Sequence, residues 1–317
     1  MNPFAKNDLL SHRPSSVIRA VVAWVLMAVV CMSIGIAVTA EDKPNSAPGG
    51  KSGDAAATSG KIEVGVQLYS VRALLNKEVT GTLAIVNQMH VTEVEVAGLY
   101  GHIAESFRDE LKKAGLRAVG VHFQFDRFSK DIDGLIKDAK TLGCEYVTLP
   151  WIPHQGDFTA ENAKEVAAKF NEWGRKCAAA GLKFTYHPHG YEFRPYQEGT
   201  VFDLLVAETK PEFVNYELDI FWAFDAGADP VKLMEKYPNR FTLMHLKDMK
   251  KGVKTPNFSG GENVESDVAL GTGQLDLPAI IKEAKKIGIK HYFIEDESSK
   301  SVQQIPESIG YIRSIGY

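Results

Sequence analysis

The chain has 317 residues, of which 44% are hydrophobic, so it is long enough to bury one large core. Its 36 basic and 40 acidic side chains leave a formal net charge of −4. Proteins that bind nucleic acids usually carry a basic surface, so this balance argues against a nucleic-acid partner. Small neutral or anionic substrates remain compatible with the composition.

The first 40 residues are typical of an export signal. Lys6, Arg13 and Arg19 precede an uncharged, largely apolar run over residues 20–40, which ends in the small-residue sequence AVTA. The run is long for a signal peptide and is also long enough to span a bilayer. Residues 1–40 are therefore interpreted as a cleaved signal peptide or as a membrane anchor. Both alternatives place the rest of the chain in the periplasm or outside the cell, and only the second makes the membrane a partner.

The segment that follows, residues 41–60, is rich in Ser, Gly, Ala, Pro and Lys. Such a composition cannot build a hydrophobic core and predicts a flexible linker. The folded body is accordingly predicted over residues 61–317.

A helix-to-strand unit recurs along this body. The segments KKAGLRAVGVHF, AKTLGCEYVTLP, AAAGLKFTYHPH and AKKIGIKHYFIE each combine a helical end, a glycine and a β-branched or aromatic run. Eight strand-like runs that alternate with amphipathic helical stretches predict an α/β fold, a single-domain (β/α)8 TIM barrel. An open doubly wound sheet is the alternative, which the lack of a Gly-rich phosphate motif after the first strand disfavours.

The predicted strands end in side chains that bind metals or carry protons, although buried parallel strands are usually apolar. These polar residues are His122, His187, His189, Glu192, Glu217, Asp219, His245, Lys247, Asp248, Glu295 and Asp296. In a barrel the carboxyl ends of the strands meet on one face, and carboxylates with imidazoles suit a divalent cation such as Mn, Co, Mg or Zn. A lone histidine or acid there is often only hydrogen-bonded or caps a helix. Four successive strands that end in such residues favour one bound divalent metal ion.

Five motifs occur in the order TYHPHGYEF, YELDIFWAFDAGADP, LMHLKDM, ALGTGQLDLPAI and FIEDES. With them the body resembles the xylose isomerase-like TIM barrel superfamily, in its sugar phosphate isomerase/epimerase branch, over nearly all of residues 61–317. The resemblance implies a metal held by Glu192, Asp219, His245 and Glu295. His187 or His189 remains the alternative to Glu192, because other branches place the first acid nearer His187. The segment also departs from the common form, which has Asn at Pro188 and Asp at Gly190.

The resemblance also implies catalytic roles. Glu192 and Glu295 would remove and return a proton next to a carbonyl, through an ene-diolate that the metal stabilises. His122 and Lys247 would bind substrate hydroxyls or stabilise the developing oxyanion. Further substrate contacts are expected from His187, His189, Trp151, Trp222, Gln67 and Glu95. Apart from the resemblance, residues 256–274 follow the seventh predicted strand and are rich in Gly, Ser, Asn and acids, which indicates either a lid over the site or a disordered loop.

These observations predict an exported, metal-dependent isomerase or epimerase that acts on a small-molecule sugar or keto-sugar. An unphosphorylated substrate is expected, because only Arg194 and Lys247 could clamp a phosphate at the mouth. The first alternative is a lyase or dehydratase that acts on a 3-keto-glycoside or an inosose. A non-catalytic sugar-binding module and an abasic-site endonuclease are the others, and the acidic body argues against the endonuclease. Assembly into a homo-oligomer is compatible with the sequence.

Overall fold

The computed structural model describes residues 61–261 and 263–317. The signal or anchor predicted over residues 1–40 and the linker predicted over residues 41–60 lie outside this part of the chain. Among the described residues, no helix combines the length and apolar character needed to cross a membrane.

Eight parallel strands close into a barrel in the hydrogen-bonded order β1-β8-β7-β6-β5-β4-β3-β2, and β1 pairs with β2 to complete the ring. The strands are β1 Glu63–Gln67, β2 Glu93–Val96, β3 Arg117–His122, β4 Tyr146–Leu149, β5 Lys183–Tyr186, β6 Val214–Asp219, β7 Phe241–Leu246 and β8 His291–Ile294. Their number and parallel arrangement agree with the eight predicted strand-like runs, so the predicted barrel is confirmed.

Helices connect the strands. They are α1 Arg72–Leu75, α2 Val79–Gln88, α3 Ala104–Lys113, α4 Phe125–Lys130, α5 Ile132–Leu142, α6 Ala160–Ala179, α7 Val201–Glu208, α8 Ile220–Asp225, α9 Pro230–Lys236, α10 Leu277–Lys286 and α11 Ser301–Ser314. Two-residue ladders join Pro195–Tyr196 to Gly199–Thr200 and Asp248–Met249 to Asp267–Val268, both outside the barrel.

The glycines of the repeated unit end four of these helices. Gly115, Gly143, Gly181 and Gly288 have φ values of 73°, 82°, 80° and 88°. This left-handed conformation reverses the chain after a helix and is strained for residues that carry a Cβ. The predicted link between glycine and the helix-to-strand turn is therefore confirmed.

The interior of the barrel changes from apolar to polar along the strands. A buried layer of Val119, Tyr146, Leu243 and Phe293 fills its middle. Side chains alternate along a strand, so residues two positions further face the same interior. His245 lies two positions after Leu243, and it is fully buried. The apolar layer thus forms a floor on which polar side chains gather toward the carboxyl ends of the strands.

Candidate metal centre and substrate cavity

Four buried side chains at the carboxyl ends of the strands could hold a metal ion. They are His187, Asp219, His245 and Glu295, with one ligand atom from each lying within 4.8 Å of the others. His187 follows β5, Glu295 follows β8, and Asp219 at the end of β6 pairs in register with His245 on β7. We call this group the outer cluster. It contains three of the four ligands predicted from the family pattern.

The ligand atoms of the outer cluster crowd around Nδ1 of His245. Nε2 of His187 lies 3.1 Å from this nitrogen and Oε2 of Glu295 lies 3.2 Å from it. Oδ2 of Asp219 is 3.5 Å from His187 Nε2 and 3.6 Å from His245 Nδ1. This oxygen is buried and has no hydrogen-bond partner among the described residues. Two carboxylates and two imidazoles, with one carboxylate oxygen left without a hydrogen bond, are a donor set that fits a divalent cation.

A second group lies on the other side of His245. Glu95 on β2, His122 on β3 and Glu217 on β6 form this inner cluster. Oε2 of Glu95 is 2.7 Å and Oε1 of Glu217 is 3.2 Å from Nε2 of His245. Nε2 of His122 lies 3.0 Å from both Glu95 and Glu217. Gly120 leaves room for this arrangement, because a Cβ there would lie 2.8 Å from Oε1 of Glu95.

The buried carboxylates favour positive charge in both clusters. Burial opposes a charge on His122, but the neighbouring Glu95 and Glu217 raise its pKa to about 9. Burial also opposes a charge on His245, yet Glu217 and Glu295 raise the pKa of this imidazole well above its ordinary value. A divalent cation at the outer cluster would supply this positive charge in place of a proton.

Glu192 lies outside both clusters, so the structure does not bring it to the three ligands it was predicted to join. Its buried carboxylate accepts a hydrogen bond from the Tyr186 hydroxyl and one of 3.1 Å from the backbone amide of His189. Burial raises the pKa of Glu192 to about 7, although the Tyr186 hydrogen bond opposes the rise. Gly190, with a φ of 94°, turns the chain between His187 and Glu192. The fourth member of the outer cluster is His187, which the sequence analysis gave as the alternative to Glu192.

Gln67 and Glu95 were expected as rim contacts, and the structure differs there. Both side chains are fully buried, and Nε2 of Gln67 donates a 2.7 Å hydrogen bond to Oε2 of Glu95. Glu95 belongs to the inner cluster and Gln67 contacts it, and neither residue lines the described cavity.

Lys247 is also buried, under the ring of Trp222. Its Nζ lies 2.9 Å from Glu297 and 3.5 Å from Asp267, and 5.0 Å from the Trp222 ring centroid. The predicted catalytic contact would require Lys247 to leave these ion pairs. In the structure Lys247 joins the end of β7 to Glu297, which follows β8, and to Asp267, which begins the two-residue strand Asp267–Val268.

A cavity of about 400 Å³ adjoins the outer cluster. Its aromatic walls are Tyr69, Trp151 and Trp222, and its polar lining includes His122, His187, His189, Glu295 and Glu297. The described lining contains no Lys or Arg. Among these lining residues, Glu297 was not singled out from the sequence. The cavity therefore combines aromatic faces with acids and imidazoles.

The candidate lid contributes to this cavity. Gly260, Gly261 and Val264 line it, and the Asn257 side chain donates a 2.9 Å hydrogen bond to Asp225. Described residues of the predicted segment over 256–274 thus lie at the mouth.

Asp248 explains why two of the sequence motifs occur together. Its carboxylate accepts hydrogen bonds of 2.9–3.2 Å from the backbone amides of Met249, Gly271, Gly273 and Leu275. The LKD and GTGQL motifs therefore form one structural unit. Asp248 anchors the far end of the candidate lid and does not line the described cavity.

A closed parallel barrel whose strand ends converge on a polar cavity is the architecture of (β/α)8-barrel enzymes. Residues 85–315 match the family described as xylose isomerase-like TIM barrel, and the chain belongs to that family. The predicted resemblance is therefore confirmed.

The chain is similar to several inosose dehydratases. It is 32% identical over 130 residues to that of Clostridium tetani, a match that covers 39% of this chain and 43% of the relative. It is 23% identical to that of Mesomycoplasma hyopneumoniae strain J over 237 residues, which covers 65% and 78%.

Solved structures show the same fold. A sugar phosphate isomerase/epimerase from Parabacteroides distasonis superposes with a TM-score of 0.64 at 26% identity, covering 81% of this chain and 95% of that one. The IOLI protein, solved with a bound zinc atom, superposes with a TM-score of 0.61 over 80% of this chain and 96% of that one, and its 16% identity shows the fold alone.

Proposed function

We propose that this protein is a divalent-metal-dependent enzyme that removes a proton next to the carbonyl of a neutral polyhydroxylated ketone and then eliminates a β-substituent. The observation that carries the proposal is the outer cluster, with its unsatisfied Asp219 oxygen, beside a cavity without described basic lining. Elimination is favoured over isomerisation because the curated relatives are named inosose dehydratase.

His187, Asp219, His245 and Glu295 would hold the cation. The cation supplies Lewis acidity, which stabilises negative charge on a carbonyl oxygen as the neighbouring carbon loses its proton.

Two residues of the cavity have suitable chemistry for moving protons. Glu295 lines the cavity and its carboxylate can accept the proton from carbon. His122 also lines the cavity, with Nε2 held by Glu95 and Glu217, so its Nδ1 is the nitrogen that would face a substrate hydroxyl. Its raised pKa of about 9 keeps the ring protonated near neutral pH. The imidazolium can thus protonate a departing hydroxyl, and the elements of water leave.

The walls support a neutral, ring-shaped substrate. Trp151 and Trp222 offer faces on which a sugar or cyclitol ring can stack. A phosphate group would approach Glu295 and Glu297 without a described Lys or Arg in the lining to neutralise it.

An isomerase or epimerase is the second candidate, supported by the likeness to the Parabacteroides distasonis protein. Isomerisation begins with the same removal of a proton. The proton then returns to a carbon atom, and no leaving group departs. Products of isomerisation keep the mass of the substrate, whereas dehydration removes water and a lyase splits the molecule.

We further propose that the enzyme works outside the cytoplasm, a proposal supported by the signal-like composition of residues 1–40.

The test incubates the full chain, supplied in turn with Mn, Co, Mg and Zn, with inososes, 3-keto-glycosides and keto-sugars, and follows product mass. We expect metal-dependent loss of water or cleavage, abolished in Glu295→Gln. Products of unchanged mass would favour the isomerase. Turnover confined to phosphorylated sugars would contradict the neutral-substrate proposal.

A further inference from the structure

The imidazole of His245 is contacted through each ring nitrogen by a different cluster. Nδ1 faces the outer cluster, 3.2 Å from Glu295 and 3.6 Å from Asp219. Nε2 faces the inner cluster, 2.7 Å from Glu95 and 3.2 Å from Glu217. All of these side chains are at least nine-tenths buried. The ring therefore lies between two separate pairs of carboxylates, Glu295 with Asp219 on one side and Glu95 with Glu217 on the other.

The contacts on Nε2 determine where a hydrogen can lie. Nε2 of His245 lies 2.7 Å from Oε2 of Glu95, and the hydrogen of this contact lies on Nε2 when the carboxylate is ionised, because an ionised carboxylate only accepts hydrogen bonds. With that hydrogen in place, the lone pair of a neutral His245 lies on Nδ1, toward the outer cluster. A metal-bound histidine usually donates its other N–H to a carboxylate or carbonyl, which fixes the tautomer and the orientation of the ring.

We propose that Glu95 and Glu217 are positioning residues that hold the hydrogen of His245 on Nε2 and direct the Nδ1 lone pair at the cation. The inference rests on the proposed metal-dependent function and assigns these two carboxylates a role outside the substrate cavity. Glu95 and Glu217 act through His245 and do not themselves hold the metal.

Other contacts fix Glu95 in this role. Gln67 donates a 2.7 Å hydrogen bond to the same Oε2 atom, and Gly120 provides the space in which the side chain lies. The inner cluster together with His245 also offers ligand atoms close enough to hold a cation. Glu95 and Glu217 do not line the described cavity, whereas His187 and Glu295 do, so we assign the cation that meets the substrate to the outer cluster and a supporting role to the inner one. We therefore expect one cation per chain.

The second imidazole of the outer cluster has a matching arrangement. Nε2 of His187 faces His245 and Asp219, while its Nδ1 lies 3.3 Å from Nδ1 of His189. A hydrogen on Nδ1 of His187 can be donated to His189, which leaves the Nε2 lone pair for the cation. The proposal therefore predicts coordination through Nδ1 of His245 and Nε2 of His187.

The test compares Glu95→Gln with Glu93→Gln in the full chain. Glu93 is a matched control because it lies on the same strand, is 3% exposed and contacts a histidine, with Oε2 2.8 Å from Nδ1 of His291. Its side chain lies at the opposite end of the barrel. Zinc affinity is measured by competition with a chromophoric chelator, and ¹H–¹⁵N NMR of the zinc-loaded protein reports which His245 nitrogen carries hydrogen.

We expect Glu95→Gln to weaken zinc binding about 10–100-fold, the range for such outer partners. We expect to observe the Nε2–H signal of His245 in the wild type and in Glu93→Gln. In Glu95→Gln this signal should shift, and its hydrogen should exchange faster with solvent. If Glu95→Gln does not fold, Glu217→Gln takes its place in the same comparison.

The inference would be overturned if Glu95→Gln and Glu217→Gln both bind zinc as tightly as the wild type. The proposed function would then remain intact. Coordination of His245 through Nε2 would also overturn it, as would a second zinc ion per chain that Glu95→Gln removes. A wild-type chain that binds no divalent cation would overturn the metal-dependent function, and the inference with it.

Discussion

Nε2 of His187 lies 3.1 Å from Nδ1 of His245. His187 follows β5 and His245 lies on β7, and β6 separates these two strands in the barrel. Two imidazole nitrogens at this distance are compatible only when one carries a hydrogen or both share a cation. The unsatisfied Oδ2 of Asp219 lies within 3.6 Å of both nitrogens. This geometry underlies the choice of His187 over Glu192 as the fourth ligand.

That choice can be tested by exchanging each residue for glutamine. We expect His187→Gln to weaken divalent-cation binding by at least about 100-fold, since it removes a ligand and not only an outer partner. Glu192→Gln should change the affinity only a few-fold. Isothermal titration with Zn or Mn measures both. Loss of binding in Glu192→Gln with retention in His187→Gln would restore Glu192 as the ligand.

Glu192 should instead make stability depend on pH. Burial raises its pKa from 4.5 in the unfolded chain to about 7 in the fold, so the folded state keeps a proton that the unfolded state loses. The stabilising contribution of this carboxyl is complete below pH 4.5 and is lost as pH rises toward 7. Relative to Glu192→Gln, the wild type should lose about 2–3 kcal/mol of unfolding free energy between about pH 5 and 8.

Urea unfolding of both proteins across this interval measures the difference. The glutamine variant serves as the reference, because it has the same size and cannot titrate. A difference that stays constant, or that grows in favour of the wild type with rising pH, would contradict a protonated Glu192.

The contact between the candidate lid and the aromatic wall provides another test. Gly260 has a φ of 67°, and a Cβ there would lie 2.6 Å from Tyr191 and 3.1 Å from Trp151. Gly260→Ala should displace the loop, raise KM several-fold and speed proteolysis within residues 256–274. The neighbouring Gly261 is the control, because its nearest atom, Oγ of Ser259, would be 3.7 Å away. Equal behaviour of the two variants would argue against a closed lid at this position.

Two helical glycines should respond oppositely to alanine. A Cβ at Gly174 in α6 would collide with the backbone carbonyl of Phe213, whereas one at Gly310 in α11 would meet nothing within 4 Å. We expect Gly174→Ala to destabilise the fold by about 1–3 kcal/mol. Gly310→Ala should stabilise it by roughly 0.5–1 kcal/mol, because alanine lowers the entropy of the unfolded chain. Chemical denaturation measures the free energy of unfolding of both variants. An unchanged free energy of unfolding in Gly174→Ala would show that α6 can move away from Phe213.

The fold could be predicted because its signals are local and repeated. Gly115, Gly143, Gly181 and Gly288 each mark a helix end by a backbone conformation that favours glycine, and a strand-like run follows each of them. Eight strand-like runs that alternate with helical stretches then predict a closed barrel, because parallel strands connected by helices pack in this way.

Membership of the outer cluster could be predicted where a residue lies on or directly after a strand. Asp219, His245 and Glu295 do so, and their positions follow from convergence of the strand ends. Glu192 is separated from β5 by the turn at Gly190, and sequence spacing does not determine where a side chain points after such a turn.

Depth within the barrel was equally difficult to predict. Gln67 and Glu95 were expected at the rim, but they lie in the interior below it. Glu217 could have been assigned to the inner cluster, because it lies two residues before Asp219 and therefore faces the same interior.

The most direct test of the account is the metal content of the purified full chain, measured by elemental analysis beside an Asp219→Ala, His245→Ala double variant. The account predicts about one divalent ion per wild-type chain and its loss in the variant, because both residues belong to the outer cluster. A well-folded wild-type protein that stays free of metal after supply of Mn, Co, Mg and Zn would contradict the account. A variant that keeps its full metal content would contradict the placement of the site.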